Sequence, residues 1–240
     1  MGLKERRVRE KEVVRGKILD AARELFVAEG YEAVTMRKIA QAIEYSPTAI
    51  YLHFRDKEAV INAICDTDFL KLASRFRKIA EVADPIARLR AAGLAYADFA
   101  LRHPNHYRLM FMTPHPPHSP EESVIEVGNR DQDAYAFVLW TAGEAIAQGL
   151  LRPELDDAEL VAQIVWSAVH GWVSLRMTKC NEPWVDWRPQ KRSIEAVIDV
   201  SLRGILRSTP LATATPSTPP NTAAAPATPA TAKRRKSARA

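Results

Sequence analysis

The stretch TMRKIAQAIEYSPTAIYLHFRDK, residues 35–57, decides the fold. Thr35 carries the hydroxyl of a helix N-cap, and Ile39, Ala40 and Ile43 follow at helical spacing. Ser46-Pro47 opens a second helix, because serine caps well and the missing proline N–H costs nothing at the first helical position. Within it Ile50 and Phe54 lie one turn apart and can face inward, leaving small and hydrogen-bonding side chains outward. Glu44 and Tyr45 form the turn between the two helices. Two short helices so joined make a helix-turn-helix, whose second helix is shaped to enter the major groove of DNA. The competing reading is an ordinary three-helix bundle, which contains such a turn for packing alone.

Working outward, Ile18, Leu19, Ala22, Leu25 and Phe26 form one apolar stripe, so a supporting helix is expected over about 17–29, ended by Gly30. A charged arm, 1–14, precedes it, and 15–56 forms the helix-turn-helix domain. Asp56 caps a helix running from Lys57 to about Val82, long enough to pass from one small domain into another. Further starts are read at Asp84-Pro85, at Ser119-Pro120 and at Asp156, where Glu159 completes a capping box. His103-Pro104 breaks the chain between two helices, Thr113 to Ser119 reads as a loop, and a last helix covers about 190–207. The expectation is an all-α chain of about nine helices, with a second domain over 57–207.

Composition supports this and narrows the classes. Of 240 residues 47% are apolar and 26% charged, and no apolar run approaches the roughly 18–20 residues of a membrane span. The net charge of +5 is misleading until it is located. Residues 208–240, rich in Ala, Thr and Pro, hold five basic residues (Lys233, Arg234, Arg235, Lys236 and Arg239) and no acid, so the rest of the chain is balanced. That tail has too little apolar surface to offset its ordering entropy and is expected to be disordered. Cys65 and Cys180 lack CxxC partners, which fits a reducing compartment and excludes a cysteine-based zinc site. With no apolar leader, a cytoplasmic location is expected. His103/His106 and His115/His118 are spaced i, i+3 but are interrupted by prolines and lack a clear third ligand. No nucleophile elbow, HExxH, P-loop or dinucleotide glycine pattern occurs, so no metal, cofactor or catalytic residue is expected.

Residues 15–64 resemble the DNA-binding domain of TetR-family transcriptional regulators. The resemblance rests on Thr35, Ile39 and Ala40, on Tyr51, Phe54 and Lys57, and on Phe26, Gly30 and Tyr31, which fall in order at that family's spacings. The turn departs from the usual Ala-Gly-Val: Ile43-Glu44-Tyr45 puts a non-glycine residue where a positive φ is often favoured. Thr35, Arg37, Lys38, Tyr45, Ser46, Pro47, Thr48, Tyr51, His53 and Lys57 are the candidate DNA contacts. Hydroxyls, bases and helix N-termini among them suit phosphate, and Thr48 suits a base edge.

The resemblance implies that the remaining helices bind a small molecule and form a homodimer, giving a repressor that an apolar effector releases from double-stranded operator DNA. Trp166, His170 and Gly171 resemble a branch of the family named for Trp, His and Gly. Tyr96, Phe99, Tyr107, Met110, Phe111, Phe137, Trp140 and Trp166 are candidate cavity walls, with His170 as a polar handle. For each, plain core packing is the competing role. The run 157–179 carries two apolar arcs and so needs two partners, one of which can be a second subunit. Val165, Val169 and Trp172, with Ile194, Ile198 and Leu202 of the last helix, are the candidate seam; the alternative is a helix buried at the centre of one subunit. Two other functions stay open: an effector-independent architectural DNA binder, and a helical ligand carrier or enzyme.

Overall fold

The computed structural model describes residues 2–117 and 123–207. The expected tail, 208–240, and the helix start at Ser119 lie outside the described residues. Nine α-helices are present among the described residues: α1 (Leu3–Glu29), α2 (Met36–Ala42), α3 (Pro47–Tyr51), α4 (Lys57–Arg77), α5 (Pro85–Arg102), α6 (Pro104–Phe111), α7 (Ala134–Ala147), α8 (Ala158–Lys179) and α9 (Gln190–Ile205). The one β feature among them is an isolated bridge between Leu151 and Leu206. No helix among them is long and apolar enough to cross a membrane.

Capping chemistry sets most boundaries. Thr35 accepts from Lys38 N, Ser46 from Ala49 N, and Asp56 from Ala59 N at 2.7 Å. Asp84 caps α5 and Asp133 caps α7. Gly30, with φ of 82°, ends α1. Four expectations are corrected. The arm over 1–14 is not separate, because α1 runs unbroken from Leu3; its Glu, Lys and Arg residues are good helix formers that extend a nucleated helix. The helix from Lys57 ends at Arg77, and the residues to Glu81 continue only as turns. The cap of α8 is Asp157, not Asp156. The last helix stops at Ile205, where its end pairs with the segment at Leu151.

Two cores form. The first packs Ile18, Ala22 and Phe26 of α1 against Ile39, Ile50, Phe54, Ile61 and Ile64. The second joins α5, α7, α8 and α9 around residues such as Leu89, Phe137, Val169 and Ile198. Helix α6 belongs to both: Leu109 packs into the first core, while Tyr107 and Met110 pack into the second. Phe69 of α4 also touches both. The helix-turn-helix is therefore bolted to the body through α4 and α6.

Candidate functional site

The outward side of α2 and α3 presents a continuous polar face. Thr35, Arg37, Lys38, Ser46, Pro47 and Thr48 are exposed, as are Tyr45 and Tyr51. Lys38 pairs with Glu29, and Lys17 lies 6.0 Å from the centre of the Tyr45 ring. Leu52, 74% exposed, was missed by sequence reasoning, which expects a leucine to turn inward. Glu44 takes a φ of 60°, the left-handed conformation expected in this turn; a side chain there costs roughly 1–3 kcal/mol relative to glycine. The hydrogen bond from Tyr45 N to Ala40 O closes the turn and fixes how α3 leaves α2.

Two candidate DNA contacts are placed differently. Lys57 Nζ donates to the Tyr31 carbonyl at 2.8 Å and sits 4.0 Å above the Tyr31 ring, so this ammonium pins α4 to the end of α1. His53 lies beside Arg15, Phe54 and Asn62, lining an open groove of about 530 Å3. Burial, and then Lys11 and Arg15, push its imidazole below the ordinary value, and its Nδ1 has no partner.

Inside the body, four side chains meet at one polar point. Trp166 Nε1 donates to Tyr96 Oη at 3.1 Å, Tyr96 Oη donates to Tyr107 Oη at 3.2 Å, and Tyr107 Oη lies 2.6 Å from His170 Nδ1. Burial pushes the His170 imidazole below its ordinary value and both phenols above theirs, so all four groups are neutral near pH 7. The donor-only indole starts the chain at Tyr96, and His170 Nδ1 closes it. Two small apolar voids adjoin this cluster, of about 30 and 90 Å3, and both are bordered by Tyr96, Val138 and Trp166. Phe111 borders the larger, beside Tyr135.

Of the nine candidate cavity residues, Tyr96, Phe111 and Trp166 thus border a void, and Tyr107 and His170 reach it through hydrogen bonds. The other four border neither of these two voids. Phe99 packs on His103 and His106, Met110 lies in the body core, Phe137 packs at a tilt against Phe76, and Trp140 lies against the Arg88 and Arg130 guanidiniums at 3.9 and 4.0 Å.

The six seam candidates are all interior. Val165, Val169, Trp172, Ile194, Ile198 and Leu202 are each less than a tenth exposed within one chain. A Cβ on Gly93 would stand 3.2 Å from Ile198 and 3.4 Å from Val169, which shows how closely α5 covers them. Trp172 also bonds Ser193 at 3.2 Å, tying α8 to α9. The alternative of a centrally buried helix describes these residues.

One feature was not read from the sequence. Arg23 of α1 holds Asp68 of α4 through Nε and Nη2, both at 3.1 Å, and His106 of α6 meets the same carboxylate at 2.7 Å. Asp68 is fully buried and Arg23 is 4% exposed. Burial opposes the Asp68 charge, but the bonds from His106 and Arg23 outweigh it and hold the carboxyl below the usual range. The adjacent residue on α6, Tyr107, belongs to the interior cluster, so a single turn of helix touches both. An arginine within an apolar stripe was the visible signal. Among the described residues no group of three or more His, Cys, Asp or Glu could hold a metal ion, and both described cysteines are free.

Comparison with known proteins meets this geometry at both ends. Residues 18–64 match the family model described as bacterial regulatory proteins, tetR family, and residues 89–200 match the tetracyclin repressor-like C-terminal domain. The HTH-type transcriptional repressor KstR2 of Mycobacterium tuberculosis is 28% identical over 175 residues, covering 70% of this chain and 83% of that protein. The solved TetR family regulator PfmR of Thermus thermophilus aligns with a TM-score of 0.62 at 27% identity, over 79% of this chain and 99% of that one. The solved structure of the ketosteroid transcriptional regulator KstR2 of Mycobacterium tuberculosis aligns with a TM-score of 0.58 at 23% identity, over 81% of this chain and 95% of that one. With more than half of its length matched by the two models, the chain belongs to the TetR family and is a DNA-binding transcriptional regulator.

Proposed function

We propose that the chain is a homodimeric cytoplasmic repressor that an apolar small molecule releases from a two-fold operator. The observation that carries the reading is the double membership of α6. Its Tyr107 and Phe111 stand at the interior cluster and void, while its His106 grips the carboxylate that α4 shares with α1. An effector that enlarges the void displaces α6, and the buried ion pair passes that displacement to the helix supporting α2 and α3. The apolar walls favour an apolar effector, and the description of the relative KstR2 as a ketosteroid regulator supports the same class. Trp166, His170 and Gly171 support placing it in the Trp-His-Gly branch.

The seam belongs on the outer faces of α8 and α9. Leu160, Leu175 and Val200 are exposed there, at 43, 55 and 71%. Gly171 and Gly204 share these faces, and a Cβ on either would meet nothing within 4 Å. Neither glycine is required by packing within the subunit, and both allow a second pair of helices to approach closely. Selection of bound duplexes from a random pool at moderate salt tests the function: an enriched inverted repeat is expected. Retention without enrichment would favour an architectural binder, and no retention would favour a ligand carrier or enzyme.

A further inference from the structure

The two voids flanking the interior cluster share Tyr96, Val138 and Trp166 as walls, and one indole-to-phenol hydrogen bond, from Trp166 to Tyr96, ties two of the three together. Small-molecule sites usually occupy roughly 300–1,000 Å3, so neither void holds an effector as it stands. Even merged they fall short of that range, so binding requires the wall to open, the voids to merge and their lining to move outward. Trp166 is the part placed to move, being 39% exposed at the rim, whereas Tyr96 is 6% exposed and held from behind.

Opening leaves unequal partners. Tyr96 keeps Tyr107 Oη at 3.2 Å and His170 Nδ1 at 3.1 Å. The indole loses its acceptor, and its one polar atom can only donate. A group that takes Tyr96's place and keeps the indole N–H inside the cavity must therefore accept a hydrogen bond. Charge is constrained as well: the described residues bordering the voids include no Lys or Arg, and the acid among them, Asp133, is committed to capping α7. A carboxylate would enter an apolar chamber without a cation, at a large desolvation cost.

We infer that Trp166 gates one merged cavity and that the effector is an apolar molecule carrying a neutral oxygen acceptor, of ketone or alcohol type, that captures the Trp166 indole N–H. This rests on the proposed reading of the body as an effector site. Equilibrium dialysis of three naphthalene probes tests it in the full-length protein: 6-propionyl-2-(dimethylamino)naphthalene as the ketone, its 6-propyl analogue, in which a hydrocarbon chain replaces the ketone, as the hydrocarbon control, and 6-(dimethylamino)-2-naphthoate as the carboxylate.

The ketone should bind about tenfold more tightly than the hydrocarbon, with the carboxylate weakest. Trp166→Phe keeps an aromatic ring and removes the N–H, so it should abolish the ketone's advantage while leaving hydrocarbon affinity in place. Tyr96→Phe removes the competing acceptor and should raise ketone affinity, which keeps the test sound should the tryptophan variant fold poorly. Equal affinity for ketone and hydrocarbon in the unmodified protein, or a ketone preference that survives Trp166→Phe, would overturn the inference while sparing the cavity. No saturable binding of any of the three would overturn the cavity reading together with it.

Discussion

Replacing Asp68 with asparagine attacks the joint between the two cores at its least tolerant point. The carboxylate is fully buried and receives two bonds from Arg23, itself 4% exposed, and one from His106. Asparagine keeps the shape but leaves the buried guanidinium with only the solvent-exposed Asp20 carboxylate, 2.8 Å from Nη1, as a counter-charge. Breaking such a pair from one side costs about 3–5 kcal/mol, against a typical total stability of about 5–15 kcal/mol. Urea unfolding should show the loss as a lower midpoint at unchanged slope, since the exposed surface is the same. The double change Arg23→Met with Asp68→Leu should recover most of it, because a packed apolar pair replaces an ion pair at little net cost. Acid should act like the single substitution. With the folded Asp68 carboxyl depressed, its contribution is complete above the ordinary aspartate value of about 3.9 and disappears as pH falls from there through the folded value. An Asp68→Asn penalty under about 1 kcal/mol, the range of exposed pairs, would refute the joint.

Five further substitutions have outcomes set by the exposed and buried faces. Tyr51→Ala should weaken operator binding several-fold with the dimer intact, and Thr48→Ala should relax base preference in selected sites, costing about 1–3 kcal/mol at the affected position; gel-shift titration and repeated selection check both. Val200→Asp should yield folded monomers by light scattering, whereas Ile198→Asp should unfold the subunit, because Ile198 is 1% exposed in its own core. Lys57→Ala should lower thermal stability by about 1 kcal/mol through the lost bond to the Tyr31 carbonyl, with little change in the salt dependence of DNA binding.

The helix-turn-helix was legible because its signals are local. Thr35, Ser46 and Asp56 act within three residues of themselves, and Gly30 stops α1 by its own backbone freedom. Even the strained turn could be read from the absence of a glycine near Glu44. Periodicity failed where no apolar face exists: Val8 and Val13 are exposed, so the first turns of α1 carry no stripe to read. It also failed to say what covers a stripe, which is why Ile194, Ile198 and Leu202 suited a partner as well as they suited α5. Aromatic content alone could not separate Trp140, which lies against two arginines, from Trp166, which hydrogen-bonds at the cavity wall. Arg23 and Asp68 are 45 residues apart, and a pairing at that distance leaves no mark in spacing.

The central claim is that volume in the body cavity is felt at the recognition helix, and it can be tested without knowing the effector. Val138 borders both voids, so Val138→Trp should overfill them and push their lining outward as a bound molecule would. Operator affinity of that variant, measured by gel shift on the selected sequence, should fall about 5- to 150-fold, the usual range of coupling between sites, while the dimer and the α2–α3 face stay unaltered. A folded, dimeric Val138→Trp protein that binds the operator as tightly as the unmodified chain would contradict the account.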